Sequence, residues 1–346
     1  MSLAVLLLVI LGGQVPQPGV ALRAEPSIAL SLEHDSNARR LPAEGEGSDV
    51  VDDQLLRAAA NGRLEIVRRP FLLRADGAGG LKLFFHERSE RMVVGQLRLQ
   101  FLAGLPTGAV LSMSTFMKSR AQLSGSRSYG LLRSDAVIDR PLMWGFSIRA
   151  GLTGQAFHAF DNALFSSTGG SVFLAGRLGE GAEYADLLVD AALRGFPFAS
   201  KRPEVEGARE RRIDTPLTMS LQAVSARRLY LQGSWTLTRN ESNARGESWT
   251  RHRLQVLAGT RLPAEATITT SLALQWTSYD DGISLGQRYF LADDDETQNV
   301  LDVMLSRPLF AGLILEGRLS FMGNELARDG ARFYRQTASI GLRANL

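Results

Sequence analysis

The sequence predicts an all-β chain: a transmembrane, antiparallel, up-and-down β-barrel of about sixteen strands, with fourteen or eighteen compatible with the pattern. Three observations carry this. Apolar and polar residues alternate with a period of two through most of the 346 residues, the signature of strands with one greasy and one polar face. Short, often Pro-containing connections alternate with longer, charged ones, as in barrels with tight turns on one side of a membrane and loops on the other. No run approaches the roughly 18 apolar residues of a spanning helix, yet 45% of the chain is hydrophobic.

The elements follow in order. Ile28, Leu30 and Leu32 share one face of the first strand, and the polar segment Asp35 to Val51 reads as a loop. From Asp52 to Val67, Leu56, Ala58, Ala60, Leu64 and Ile66 oppose Arg57, Asn61, Arg63 and Glu65. Asn61-Gly62 is a hairpin signal, but the alternation passes through it in phase, so one strand is expected. The same holds from Phe71 to Phe85, across Asp76-Gly77 and Gly79-Gly80. Strands follow around Val93–Phe101, Leu111–Met117, Tyr129–Asp139, where alternation is weaker, and Trp144–Leu152. A loop is expected over roughly 157–169, then strands around Val172–Leu178 and Leu187–Leu193, and a charged loop at 195–212.

The clearest strand is Arg228 to Asn240, with Leu229, Leu231, Trp235 and Leu237 against Tyr230, Gln232, Ser234, Thr236 and Thr238. After it come Leu254–Leu262, Ile268–Trp276, an acidic loop at 280–296, Leu301–Leu305, Leu313–Phe321 and a final strand from Phe333 to Leu346. The tight turns are expected at 68–70, 105–108, 140–142, 179–182, 226–228, 262–265 and 308–312. Pro suits such places because it cannot donate to a ladder.

Composition narrows the function. Net charge is only +3 and the Arg residues are dispersed, so a nucleic-acid partner is not expected. Lys occurs only at positions 82, 118 and 201. There is no cysteine, which suits an exported chain. Residues 1–24 read as a signal peptide, with the apolar run SLAVLLLVILGG followed by small residues at Gly19, Ala21 and Ala24, although the usual cation before the run is missing. Residues 25–346 then form the barrel.

The last eight residues resemble the C-terminal signal read by the outer-membrane barrel assembly machinery, with Ser339, Gly341, Ala344 and Leu346 at its polar, glycine and hydrophobic places and Leu where Phe is usual. His34-Asp35-Ser36-Asn37 is similar to an Asp-Ser-Asn found early in some Gram-negative barrels linked to surface lipoprotein or polysaccharide export, and Glu241-Ser242-Asn243 echoes it. These resemblances imply a Gram-negative outer-membrane, porin-like barrel, reached after export to the periplasm and in contact with outer-membrane lipid and the assembly machinery.

The polar phase supplies the candidate lumen residues: Arg98, Arg149, Arg177, Arg251, Arg253, Arg318, Tyr230 and Gln232. Inward-phase acids, among them Glu33, Glu65, Asp76, Asp186, Asp190, Asp302 and Glu316, allow either a bracing network or, where arginines dominate, a path that favours anions. Trp144, Trp235, Trp276, Phe101 and Phe321 fall on the outer phase and fit interfacial belts. The acids at 280–281 and 293–296 match no calcium loop. The four histidines, His34, His86, His158 and His252, define no triad, and no HExxH or phosphate loop is present. No enzyme activity, cofactor or metal is therefore expected. The expected function is a channel for passive diffusion of small solutes, anions included, with the loop at 195–212 as the constriction. The alternative is the barrel component of an export assembly with separate subunits.

Overall fold

The computed structural model describes residues 21–38, 50–123, 128–142, 146–159, 167–180, 182–199, 211–243, 248–280, 299–310, 312–323 and 334–346. The described residues form sixteen strands: β1 (Ala21–Asp35), β2 (Asp53–Arg68), β3 (Phe71–Phe84), β4 (Met92–Gly104), β5 (Val110–Gln122), β6 (Tyr129–Pro141), β7 (Phe146–Ala159), β8 (Ser167–Glu180), β9 (Glu183–Ala199), β10 (Arg211–Ala226), β11 (Tyr230–Ser242), β12 (Trp249–Arg261), β13 (Thr267–Tyr279), β14 (Asn299–Phe310), β15 (Leu313–Gly323) and β16 (Tyr334–Asn345). Each strand pairs antiparallel with its neighbours in sequence, and β1 pairs with β16 from Ser27↔Asn345 to Asp35↔Thr337, which closes the barrel.

Closure is what lets this sequence sit in lipid. Every strand is at least 11 residues long, enough to cross a bilayer at a tilt. A closed ladder leaves no sheet edge with unsatisfied N–H and C=O groups in hydrocarbon. The two faces differ as the period-two pattern requires. On β1, Leu30 and Leu32 are 53% and 48% exposed on the outside, whereas Glu33 between them and Asp35 is 3% exposed on the inside. Trp276, Ile340, Leu342 and Phe321 continue the outer apolar surface. Phe71 and Phe101 stack on it at 5.9 Å near the tight-turn end.

The two doubtful glycine-containing segments are single strands: β2 runs through Asn61-Gly62 and β3 through Gly77, Gly79 and Gly80, paired continuously with each other. Among the described residues, the tight turns expected at 68–70, 105–108, 226–228 and 262–265 fall between consecutive strands, while β6 runs through Pro141 and carries the connection expected at 140–142 further along the chain. Two loops are shorter than expected. Strand β7 reaches Ala159 and β8 starts at Ser167, inside the segment 157–169. Strand β9 reaches Ala199 and β10 starts at Arg211, taking both ends of the segment 195–212. Alternation lapses at Gly195-Phe196-Pro197, but the ladder carries across through a register shift between Arg211 and Ile213. The centre of that segment, 200–210, and with it the expected constriction, lies outside the described residues, as do residues 1–20 and Trp144. Pairing of β1 with β2 begins at Ala21, ahead of the 24/25 boundary read from the sequence.

The seam between first and last strands is tight. A Cβ at Gly341 would lie 2.5 Å from the Leu30 carbonyl oxygen and 2.5 Å from the Ser31 Cβ, so only glycine fits opposite Ser31. At the loop end of the seam the Arg335 guanidinium donates to both oxygens of Asp35, and the two side chains are 4% and 0% exposed. The Ser36 N–H donates to the Gln336 carbonyl at 3.0 Å, and the Gln336 N–H donates back to the Ser36 hydroxyl at 2.8 Å. Asn37 donates from its amide to the Tyr334 carbonyl at 3.2 Å. The Asp-Ser-Asn segment thus ties the barrel shut.

Candidate functional site: the barrel lumen

Polar residues on sixteen strands converge on one interior, and the first question is which charges are already spent. Most sit in cross-strand pairs. Arg57 and Lys82 flank Glu33, at 3.2 and 3.8 Å. Arg63 meets Asp76 at 2.6 Å, Arg74 meets Glu65 at 2.9 Å, and Arg343 meets Glu316 at 3.1 Å. Arg149 binds Asp139 at 2.5 Å, Arg177 binds Asp186 at 2.7 Å and Arg318 binds Asp302 at 2.8 Å. Three of the expected lumen arginines are therefore neutralised by the adjacent strand.

The others differ. Arg98 on β4 lies over the Phe116 ring of β5, 5.5 Å from its centroid, with no carboxylate within ion-pair reach among the described residues. Arg253 on β12 has a buried Nε without a hydrogen-bond partner. Arg251, two residues away, donates to the Thr277 hydroxyl at 3.1 Å and covers the Trp249 ring at 4.5 Å. Tyr230 donates its hydroxyl to Gln232 at 2.6 Å on the same inner face.

The wall these last residues belong to has a distinct chemistry. From Pro216 on β10 to Tyr279 on β13, no acidic residue occupies an inward strand position among the described residues. Hydroxyls pair across strands instead: Thr218 with Thr238 at 3.2 Å and Ser220 with Thr236 at 3.1 Å.

Toward the loop end the inner face is packed. Leu55, Phe84, Met92 and Ala38 form a buried apolar cluster against the β2–β4 wall. Beside it Asp53 accepts the backbone N–H groups of His86 at 3.0 Å and Glu87 at 2.7 Å, and faces the His86 Nδ1 at 2.9 Å. Gln122 donates to Glu90 at 2.8 Å. Toward the tight-turn end the same wall opens into a recess of about 620 Å³ lined by Glu25, Asn61, Arg63, Asp76, Ala78, Gln96, Arg98 and Phe116. Asn61, Gln96 and Phe116 are lining residues absent from the sequence-based candidates. Phe116 is an aromatic in the polar phase of β5, and that misplacement was the available signal.

The remaining candidates are dispersed. His34 is exposed on β1 at an outward position, His86 lies beyond β3, and His252 stacks between Trp235 and Trp276 on the outer face, at 6.0 and 5.1 Å. The side chain of His158 lies outside the described residues. Among the described residues no group of three metal-ligating side chains occurs. Asp280 is held by Arg239, which donates to its two oxygens at 2.6 and 2.5 Å, keeping the carboxyl below its ordinary value. The other acids of the loops at 281 and 293–296 lie outside the described residues. Ser339 and Gly341 take inward positions on β16, while Ala344 falls on the outer phase and Leu346 is exposed.

No protein-family model matches the chain, and no curated protein matches its sequence. Solved structures do. OmpF of Salmonella typhi, in complex with daunomycin, matches with a TM-score of 0.50 at 11% identity, over 95% of this chain and 98% of that one. The anion-selective porin from Comamonas acidovorans matches at TM-score 0.44 and 11% identity, over 94% and 100%. CdiB from Acinetobacter baumannii gives 0.48 and 10%, over 94% of this chain, which spans 65% of CdiB's length. At these identities the likeness is one of fold. The chain has the fold of a closed sixteen-strand antiparallel barrel, as OmpF has, and no family is shown.

Proposed function

We propose that the protein is an outer-membrane channel through which small polar solutes diffuse passively, with a bias toward anions. The observation that carries this is the closed sixteen-strand barrel with a polar inner face on which Arg98 and Arg253 have no carboxylate partner among the described residues. Sixteen strands enclose enough room for an aqueous path. Unneutralised guanidinium groups in it attract anions and repel cations. The paired arginines contribute no such bias, because each carries its counter-charge on the next strand. On this reading the chain reaches the outer membrane by export and is inserted by the assembly machinery through its C-terminal strand.

The test is planar-bilayer recording of the refolded protein in a KCl gradient. Stepwise conductance with a reversal potential on the chloride side supports the reading. Clear cation preference sinks the anion bias, and a barrel that never conducts sinks the channel.

A further inference from the structure

We propose that the recess in the β1–β5 wall is a resting site for a hydroxylated monocarboxylate, a sugar acid, on its way through the lumen; this rests on the channel reading above and names its solute class. The recess exists because short side chains line up across strands. Next to Asp76 the inner face of β3 carries only Ala78, and the short Asn61 stands opposite it on β2, both lining the recess. The resulting space of about 620 Å³ is of ligand size.

Its charge selects the ligand. Of the four charged residues lining the recess, Glu25 is paired with Arg23 from outside it at 2.7 Å and Asp76 with Arg63 at 2.6 Å; Arg98, opposite Asp76 in the β3–β4 register, is the one that makes no ion pair among the described residues. One uncompensated cation suits one anionic group. The Phe116 ring lies 5.5 Å from the guanidinium carbon and supplies no hydrogen-bond acceptor, so the N–H fork is left to grip a carboxylate through two hydrogen bonds. Asn61 and Gln96, each both donor and acceptor, border the same space and suit hydroxyl groups that a simple fatty acid lacks.

Single-channel recording with D-gluconate on one side tests this. Gluconate produces brief current interruptions, whereas propionate and glucose at the same concentration do not. Arg98→Gln raises the gluconate concentration needed by about tenfold or more, the loss of about 1.4 kcal/mol of binding, and Ala78→Phe abolishes the interruptions by filling the recess while leaving Arg98 in place. Heat-modifiable migration of each variant on a gel verifies folding, and the two substitutions lie on different strands, so either suffices alone. If open-channel current is normal but gluconate never interrupts it, or both folded variants interrupt as the parent does, the inference is overturned and the channel reading stands. If no current flows at all, the channel reading falls, and calorimetric titration of gluconate into the detergent-solubilised protein decides the recess: heat lost in Arg98→Gln supports it, and no heat overturns it.

Discussion

The lumen has two walls built on one backbone pattern, and they spend their polar residues differently. Across β1–β3 almost every inward charge is matched on an adjacent strand, as in the Glu33, Arg57 and Lys82 group and the Arg74–Glu65 pair. Across β10–β13 the inward polar positions from Pro216 to Tyr279 are hydroxyls, amides and arginines, with no inward acid in that span among the described residues. Half the circumference separates β4 from β12 in the strand order, so Arg98 and Arg253 belong to opposite sides. Matched charges hold geometry and leave little field. Unmatched ones leave the field that a passing ion feels. The same period-two sequence thus encodes a wall braced by ion pairs, with Arg98 left unmatched at its margin, and facing it a wall of hydroxyls, amides and arginines with little bracing.

The largest effect is expected where bracing is buried. Asp35 and Arg335 are both shielded from water at the β1–β16 seam. Arg335→Ala strands a buried carboxylate and is expected to cost about 3–5 kcal/mol, with Asp35→Asn combined with it recovering part. Arg74→Gln breaks a pair that keeps contact with water and is expected to cost less than about 1 kcal/mol. Guanidinium unfolding from lipid bilayers, read by tryptophan fluorescence, measures both. Equal costs for the two would erase the distinction between a structural lock and a lumen brace.

Selectivity is expected to respond the other way round. Arg98→Glu with Arg253→Glu moves the reversal potential in a KCl gradient to the cation side. Exchanging the members of a braced pair, Arg74→Glu with Glu65→Arg, leaves it close to the parent value, because the wall's net charge and its location barely change. A large shift from the exchange would show that the braced wall also sets the field.

How much of this was legible in the sequence follows from what period two can encode. Phase is a local property, so the strand through Asn61-Gly62, the outward Trp276 and the inward Arg98 could all be read from neighbours along the chain. Pairing is not local. Arg149 with Asp139 and Arg177 with Asp186 share a phase in the sequence, but only the cross-strand register shows that each guanidinium is already neutralised. The recess was hidden for the same reason: Asn61 and Ala78 are unremarkable until β2 and β3 set them side by side. The extra length of β9 and β10 went unread because Pro197 and Gly195 interrupt the alternation while the ladder continues.

The smallest effect concerns the turn at the base of the hydroxyl wall. Between β12 and β13, Ala264 and Glu265 both have left-handed backbone, with φ of 59° and 60°, inside a turn closed by the Leu262 N–H donating to the Ala266 carbonyl at 2.7 Å. Two consecutive left-handed residues give the turn whose twist matches that of the flanking strands, and the sequence reads it with neither Asn nor Gly. An L-residue with a Cβ pays about 1 kcal/mol or more for that conformation. Ala264→Asn with Glu265→Gly is therefore expected to stabilise the barrel by about 1 kcal/mol, with conductance and selectivity unchanged, since the turn lies outside the lumen face. The corresponding turn between β14 and β15 already has Gly312 at φ 78°, so Gly312→Ala is expected to destabilise by a similar amount. The same bilayer unfolding measures both. If Ala264→Asn with Glu265→Gly instead alters selectivity, the hydroxyl wall is positioned by its turn as well as by its register.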